Sequence, residues 1–271
     1  MQIFPVSSKK ELKKFIELPY KIYQNDPGWV PPLRSELAGQ FDMVRNPFLK
    51  HCQYQLFLLV ERNEVVGRIA AFIDNLAVDF WQEKIGFFGY FEAPANVEAA
   101  KLLMKTAYQW LKEKGMHKIW GPWSFVSQEW GSVVEGFSPS PVVMSPYNPP
   151  YYNEYYEYFG FKKVKDLLVY MIDATQHYQI PERILTLTEK IQTRYKVTTR
   201  ALNMLKLDQE VESIISLSNE CLVKNWGYSP VTDEEVRAMV RDLKQIIQPK
   251  GVIFAEDQQG KPVGFAIAMP D

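Results

Sequence analysis

The sequence predicts an α/β protein with a mixed sheet, built as one complete unit followed by a partial second copy of it. Three observations carry that expectation. Lys84–Phe91 (KIGFFGYF) reads as a buried strand, Val97–Glu113 as a helix and Lys118–Gly121 as a strand, the order of a crossover between parallel neighbours. Tyr54–Glu61 and Val65–Phe72, joined at Arg62-Asn63-Glu64, have the pattern of an antiparallel hairpin. Finally, IFAEDQQGKPVGFAIAMPD lies over LFLLVERNEVVGRIAAFID at one constant offset, which sets Phe254 on Phe57, Val263-Gly264 on Val66-Gly67 and Asp271 on Asp74.

Taken in order, Gln2–Val6 reads as a short strand. Ser8 and Glu11 then form a capping box for a helix through Lys9–Glu17. A loop carrying DPGWVPP leads to the hairpin and the buried strand. Over Val97–Glu113 the apolar period becomes helical, with Ala99, Leu103, Ala107, Trp110 and Leu111 on one face and Gly115 as the stop. An aromatic helix near residue 150 and a strand over Lys162–Met171 complete the first unit. The second copy repeats the opening: a strand at Val197–Leu202, a helix from Asp208 to Leu222, NWGYSP in place of DPGWVPP, and a helix capped by Thr232 and Glu235 that runs through Ile247. It stops where the first copy enters its central strand. The natural polypeptide is therefore expected to continue for on the order of a hundred residues. The division expected is 1–175 for the first unit, 176–195 for a connecting helix and 196–271 for the half-unit.

Composition narrows the function. With 46% hydrophobic and 23% charged residues and a formal net charge of −1, the chain is globular and lacks the basic surface that nucleic acids require. No run approaches the length of a membrane span and no signal peptide is legible, so a cytoplasmic protein without a membrane partner is expected. Cys52 and Cys221 fit a reducing compartment. The histidines, His51, His117 and His177, are scattered without ligand spacing, and no metal site is expected. His51 and Cys52 are adjacent, but neighbours on an extended chain point to opposite faces, which argues against a nucleophile and its base.

NPPYYNEYYEYFGF, residues 148–161, places five tyrosines within eight positions. Asn148 suits an N-cap, Pro149 and Pro150 suit a first turn, and Gly160 suits a left-handed C-cap. At about 100° per residue, Tyr151, Tyr155 and Tyr158 form one stripe and Tyr152, Tyr156 and Phe159 the next. A helix serving only the core could use leucine here, so this many phenols favour a partly wet groove.

The order of elements, together with YEYFGF (Tyr156–Phe161), resembles the GNAT superfamily of acyl-CoA-dependent N-acyltransferases, whose fourth motif is Tyr-Glu-Lys-x-Gly-Phe. Asn148 is similar to the asparagine that opens that motif, one residue further away than usual. The likeness covers most of residues 1–173 and a half-domain over 196–271, an arrangement that resembles bacterial tandem GNAT proteins. It implies a GNAT-like fold, acetyl-CoA or another acyl-CoA as cofactor and a small-molecule amine as substrate. It also implies Tyr156 as the acid near the departing thiolate, where the residues alone read it as part of an aromatic core, with Phe91, Ala93, Asn96, Asn148 and Tyr152 lining the cofactor. Glu92 resembles in position the glutamate that some members use to deprotonate the amine, but its residue type and place favour the plainer reading of a solvated loop carboxylate. Gly86 and Gly89 mark a bulge or a close backbone approach, which in this family splays the strands. Trp120, Trp123 and Trp130, with PGWVPP, either shape an acceptor pocket or pack a core.

One departure is plain. The family's pyrophosphate loop is rich in glycine and carries an arginine or glutamine, whereas FEAPANVEAAKLLM has neither glycine nor arginine, and Pro94 removes a donor. Three readings stay open: an N-acyltransferase that moves an acetyl or other acyl group to a primary amine, a non-catalytic ligand-binding or supporting module, and an aminoacyl transferase of tandem build. The last needs a basic groove for its RNA-linked donor, which a balanced charge does not favour.

Overall fold

The structure, a computed structural model, describes residues 1–270 except 127–129, 139, 143, 174, 176–177 and 244–246. The chain forms two compact units, residues 1–162 and 163–271.

The first unit runs β1 (Gln2–Pro5), α1 (Lys9–Ile22), α2 (Arg34–Gly39), a 3-10 turn at Pro47–Lys50, β2 (Cys52–Glu61), β3 (Glu64–Asp74), α3 (Asn75–Trp81), β4 (Ile85–Glu92), α4 (Val97–Glu113), β5 (Lys118–Trp120) and α5 (Tyr151–Phe159). Its five strands lie in the order β1-β2-β3-β4-β5, antiparallel except for the parallel β4–β5 pair that the crossover predicts. The expected capping box starts α1: Ser8 Oγ accepts from Glu11 N at 3.2 Å, and Glu11 Oε2 accepts from Ser8 N at 2.9 Å. Arg62 and Asn63, with φ of 48° and 67°, turn the β2–β3 hairpin; two residues of positive φ give the turn whose twist matches the strands.

Alternation sorts the sheet's side chains onto two faces. Phe57, Leu59, Ile69, Ala71, Ile73 and Phe88 meet Ala99, Leu103, Ala107 and Leu111 of α4 and Tyr152 of α5. Leu56, Leu58, Ala70, Phe72 and Phe87 meet Phe15 of α1 together with Phe41, Phe48 and Phe125. Buried apolar area on both faces is what stabilises the unit, at roughly 25 cal/mol per Å² removed from water.

The second unit contains α6 (Glu182–Tyr195), β6 (Thr198–Ala201), α7 (Leu207–Cys221), α8 (Asp233–Leu243), β7 (Val252–Glu256) and β8 (Pro262–Ile267). Its three-stranded antiparallel sheet, in the order β6-β7-β8, has the order and sense of β1-β2-β3, as the internal repeat requires. Thr232 and Glu235 make the expected capping box on α8. Asp271, and residues 244–246 of the predicted extension of α8, lie outside the described residues. Among the described residues no helix is long and apolar enough to cross a membrane.

Two expectations are corrected. Lys162–Met171 forms no strand, and its side chains are exposed, Val169 at 82% and Met171 at 87%. A β-branched apolar run reports fitness for a pleated surface; it does not supply the neighbouring strand that would hold it there. Asn148 does not cap α5, which begins at Tyr151. Its side chain is drawn instead to the segment before it, where Oδ1 accepts from Val133 N at 2.7 Å. Tyr158, on the stripe with Tyr151 and Tyr155, is exposed, and Lys101 Nζ lies 4.5 Å from its ring centroid.

Candidate active site

The site forms at the C-terminal end of β4, where the strand carries one extra residue. Ala70 pairs with Gly89 but Arg68 pairs with Glu92, so Ile69 of β3 opposes two residues of β4, Tyr90 and Phe91, and Tyr90 takes φ of 47° to accommodate the bulge. The side-chain alternation slips by one position. Phe88 and Phe91 therefore both face α4 and α5, while Glu92 turns to the side that carries Arg68. Gly89 is required beside the bulge, since a Cβ there would lie 1.5 Å from the Trp123 carbonyl oxygen. Trp123 N donates to Phe88 O at 2.9 Å, closing the chain onto the strand beyond the last β4–β5 pair at Phe87 and Trp120.

Glu92 is buried, 8% exposed, so it is not the solvated loop carboxylate that its position also allowed. Three groups converge on it. Tyr23 at the end of α1 donates its hydroxyl to Glu92 Oε2 at 2.5 Å, and Tyr152 of α5 donates to the same oxygen at 2.9 Å. Arg68 Nη2 lies 3.5 Å from Oε1, while Arg68 Nη1 donates to Phe15 O at 2.7 Å. Ala93 N, the first donor beyond the strand, donates to the Tyr152 hydroxyl at 2.9 Å. Tyr152 thus joins the backbone at the strand end to the carboxylate.

Burial raises the Glu92 carboxyl above the ordinary carboxylate range, opposed by Arg68 and by the two tyrosine hydroxyls. The same burial, reinforced by the Glu92 charge, raises the hydroxyls of Tyr23 and Tyr152 and keeps both as neutral donors. Burial lowers Arg68, with Glu92 opposing. The result is a carboxylate that is a stronger base than one in water, held by donors that orient it. Over Tyr23 lie the rings of Trp29 and Tyr147, each with its centroid 5.3 Å away. Asp26 shapes this cover: its Oδ1 accepts from Gly28 N at 2.9 Å and its Oδ2 from the Tyr147 hydroxyl at 2.5 Å. DPGWVPP is therefore placed against the site through Trp29.

The other residues singled out from the sequence divide. Tyr156 sits one helical turn beyond Tyr152, its ring 5.7 Å from those of Phe88 and Phe91, and burial raises its hydroxyl. Phe91 packs edge-on to Tyr152 at 5.0 Å. Asn148 lies at the root of α5, holding Val133. Trp123 and Trp130 stack at 4.9 Å, and Trp120 packs on Trp81 at 5.0 Å, at the sheet face opposite Phe88. Tyr23 and Arg68 are the residues that sequence reasoning missed. Arg68 had a signal, a lone charge inside the apolar run VVGRIAAFID; Tyr23, at the end of an amphipathic helix, had none.

The turn between β4 and α4 does not fit a pyrophosphate. Asn96 Oδ1 accepts from Glu98 N at 2.9 Å and from Ala99 N at 3.3 Å, and Asn96 N donates to Pro94 O at 2.6 Å. Ala93 N is engaged by Tyr152, and Pro94 has no N–H. The donors that would bind phosphate are committed within the chain. Asn96 acts here as the helix cap.

No protein-family model matches the chain. It is 33% identical over 273 aligned residues, all of this chain and 70% of the other, to a protein of Caulobacter vibrioides named bacterial ceramide synthase. It is 32% identical over 267 residues, 97% of this chain and 67% of the other, to protein YghO of Escherichia coli. Among solved structures, a tandem GNAT protein from the clavulanic acid biosynthesis pathway matches with a TM-score of 0.54 at 10% identity, over 97% of this chain and 72% of that one.

Proposed function

The chain belongs to the family that includes the Caulobacter bacterial ceramide synthase and YghO and has a GNAT-like fold, and from that premise we propose that it is an N-acyltransferase acting on the primary amine of a long-chain amino alcohol. A ceramide is a fatty amide of such an amino alcohol, so the relative's name supplies the acceptor class. The observation that carries the reading is Glu92, a buried carboxylate of raised basicity at the end of the central strand. An alkyl amine is protonated in neutral water and is no nucleophile until that proton is removed. Glu92 accepts it, with Arg68, Tyr23 and Tyr152 fixing the carboxylate's direction beforehand. Tyr156, kept protonated by burial, retains the proton that an acid near the departing group would give. The acyl donor is an activated ester, and because the β4–α4 turn does not fit a pyrophosphate, its carrier is recognised elsewhere than at that turn.

The test is to incubate the protein with a long-chain amino alcohol and a fatty acyl thioester, presented in parallel on CoA and on an acyl carrier protein, and to detect products by mass spectrometry. The reading expects an N-acyl product from at least one donor. A second reading, a non-catalytic ligand-binding module, is favoured by the engaged donors of Asn96, Glu98 and Ala99. Saturable binding of the amino alcohol without product from either donor would select it.

A further inference from the structure

We propose that His51, Cys52 and Asp74 form a binding site for a divalent transition-metal ion of the zinc class, separate from the Glu92 site. Glu92 pairs with Arg68 on β3. Asp74 lies six residues further along the same strand, about 20 Å away at the rise of an extended chain. Asp74 ends β3, whereas Arg68 lies near the middle of that strand.

The geometry reverses the expectation that adjacent His51 and Cys52 diverge. Alternation applies only to extended backbone, and His51 closes the 3-10 turn Pro47–Lys50 with φ −107° and ψ 8°. Its side chain is released from the strand's two-fold pattern. Cys52 is the first residue of β2 and stands directly opposite Asp74, the last of β3, so these two share a face. His51 Nδ1 lies 2.9 Å from Asp74 Oδ1, and one donor atom from each of the three residues lies within 4.8 Å of the others. In a tetrahedral site with bonds of about 2.0–2.3 Å, neighbouring donors stand roughly 3.3–3.8 Å apart. Side-chain rotations of modest size convert one arrangement into the other.

The supports are rigid. His51 O accepts from Asn75 N at 3.1 Å and from Asn75 Nδ2 at 2.8 Å, the Phe48 ring packs edge-on to the imidazole at 4.9 Å, and Asp74 Oδ1 accepts from Leu76 N at 3.0 Å. The side chains of His51 and Asp74 are 15% and 6% exposed, which holds them away from competing water. Imidazole, thiolate and carboxylate together select zinc-class ions over magnesium or calcium, which take oxygen donors. Three protein ligands leave the fourth position to water.

A plainer account gives Asp74 and His51 the task of capping α3, and in that account Cys52 has no part. Titration of the metal-free full chain with Co(II) separates the two. The proposal expects one equivalent to bind, with a thiolate-to-cobalt charge-transfer band that zinc abolishes, that Cys52→Ser and Cys52→Ala both lose, and that Cys221→Ser retains. Asp74→Asn, which keeps an oxygen for Leu76 N, should weaken binding by about tenfold or more. Circular dichroism establishes that each variant is folded. Absence of saturable binding at one equivalent, or a charge-transfer band that survives either Cys52 substitution, overturns the proposal.

Discussion

Tyr152→Phe should destabilise the first unit more than Tyr23→Phe does, although each removes one hydroxyl from the same carboxylate oxygen. Tyr23 donates to Glu92 Oε2 at 2.5 Å, and its hydroxyl makes a long contact of 3.5 Å with that of Tyr152. Tyr152 donates to that oxygen at 2.9 Å and also accepts from Ala93 N at 2.9 Å, and Ala93 is fully buried. A hydrogen bond to a charged group contributes about 1.5–3 kcal/mol, and a buried donor left without a partner costs about 1–3 kcal/mol more. Tyr23→Phe is therefore expected to cost about 1.5–3 kcal/mol and Tyr152→Phe about 2.5–6 kcal/mol. Urea denaturation followed by tryptophan fluorescence suits the comparison, because six of the seven tryptophans, all but Trp226, precede Lys163. The double variant should depart from additivity by about 0.5–3 kcal/mol, since both hydroxyls share one acceptor. A Tyr23→Phe cost equal to or larger than that of Tyr152→Phe would refute the bridging role given to Tyr152.

Further outcomes follow from the same geometry. Arg68→Met removes the cation beside buried Glu92 and should cost about 3–5 kcal/mol in the same denaturation assay, with part recovered on adding Glu92→Gln. Gly89→Ala, whose Cβ would meet Trp123 O at 1.5 Å, should cost at least about 1–3 kcal/mol, whereas Gly264→Ala, whose nearest neighbour is 4.0 Å away, should change stability by less than about 0.5 kcal/mol. Glu92 must be ionised to accept a proton, so kcat/KM for acyl transfer should rise with pH through its raised pKa and fall below it. Tyr23→Phe removes a group that lowers that pKa and should move this limb to higher pH.

Much of the scaffold was legible because it depends on local periodicity. The hairpin, the α4 face and the two capping boxes each leave a signal within about twenty residues, the repeat leaves one in two matching segments far apart in the chain, and each is where the pattern sets it. What escaped depends on distant neighbours. Lys162–Met171 has a strand's composition, but composition does not supply a sheet edge. Glu92 could be placed at a strand end; its burial could not, because that arises from Tyr23 and Tyr152, sixty-nine and sixty residues away in sequence. The five-tyrosine helix suggested a partly wet groove, whereas Tyr152 on it is buried and hydrogen-bonded to Glu92. His51 and Cys52 were dismissed on a rule for extended chain that a four-residue 3-10 turn suspends.

The central claim is that Glu92 deprotonates an acceptor amine. Its most direct test is the steady-state rate of N-acylation of a long-chain amino alcohol by the wild-type protein and by Glu92→Gln, with folding of both verified. Loss of a general base lowers the rate by about 10²–10⁴-fold, and the account predicts that loss in kcat together with disappearance of the acid limb of the pH profile. A Glu92→Gln protein that keeps its rate within a few-fold, with the acid limb intact, would contradict it.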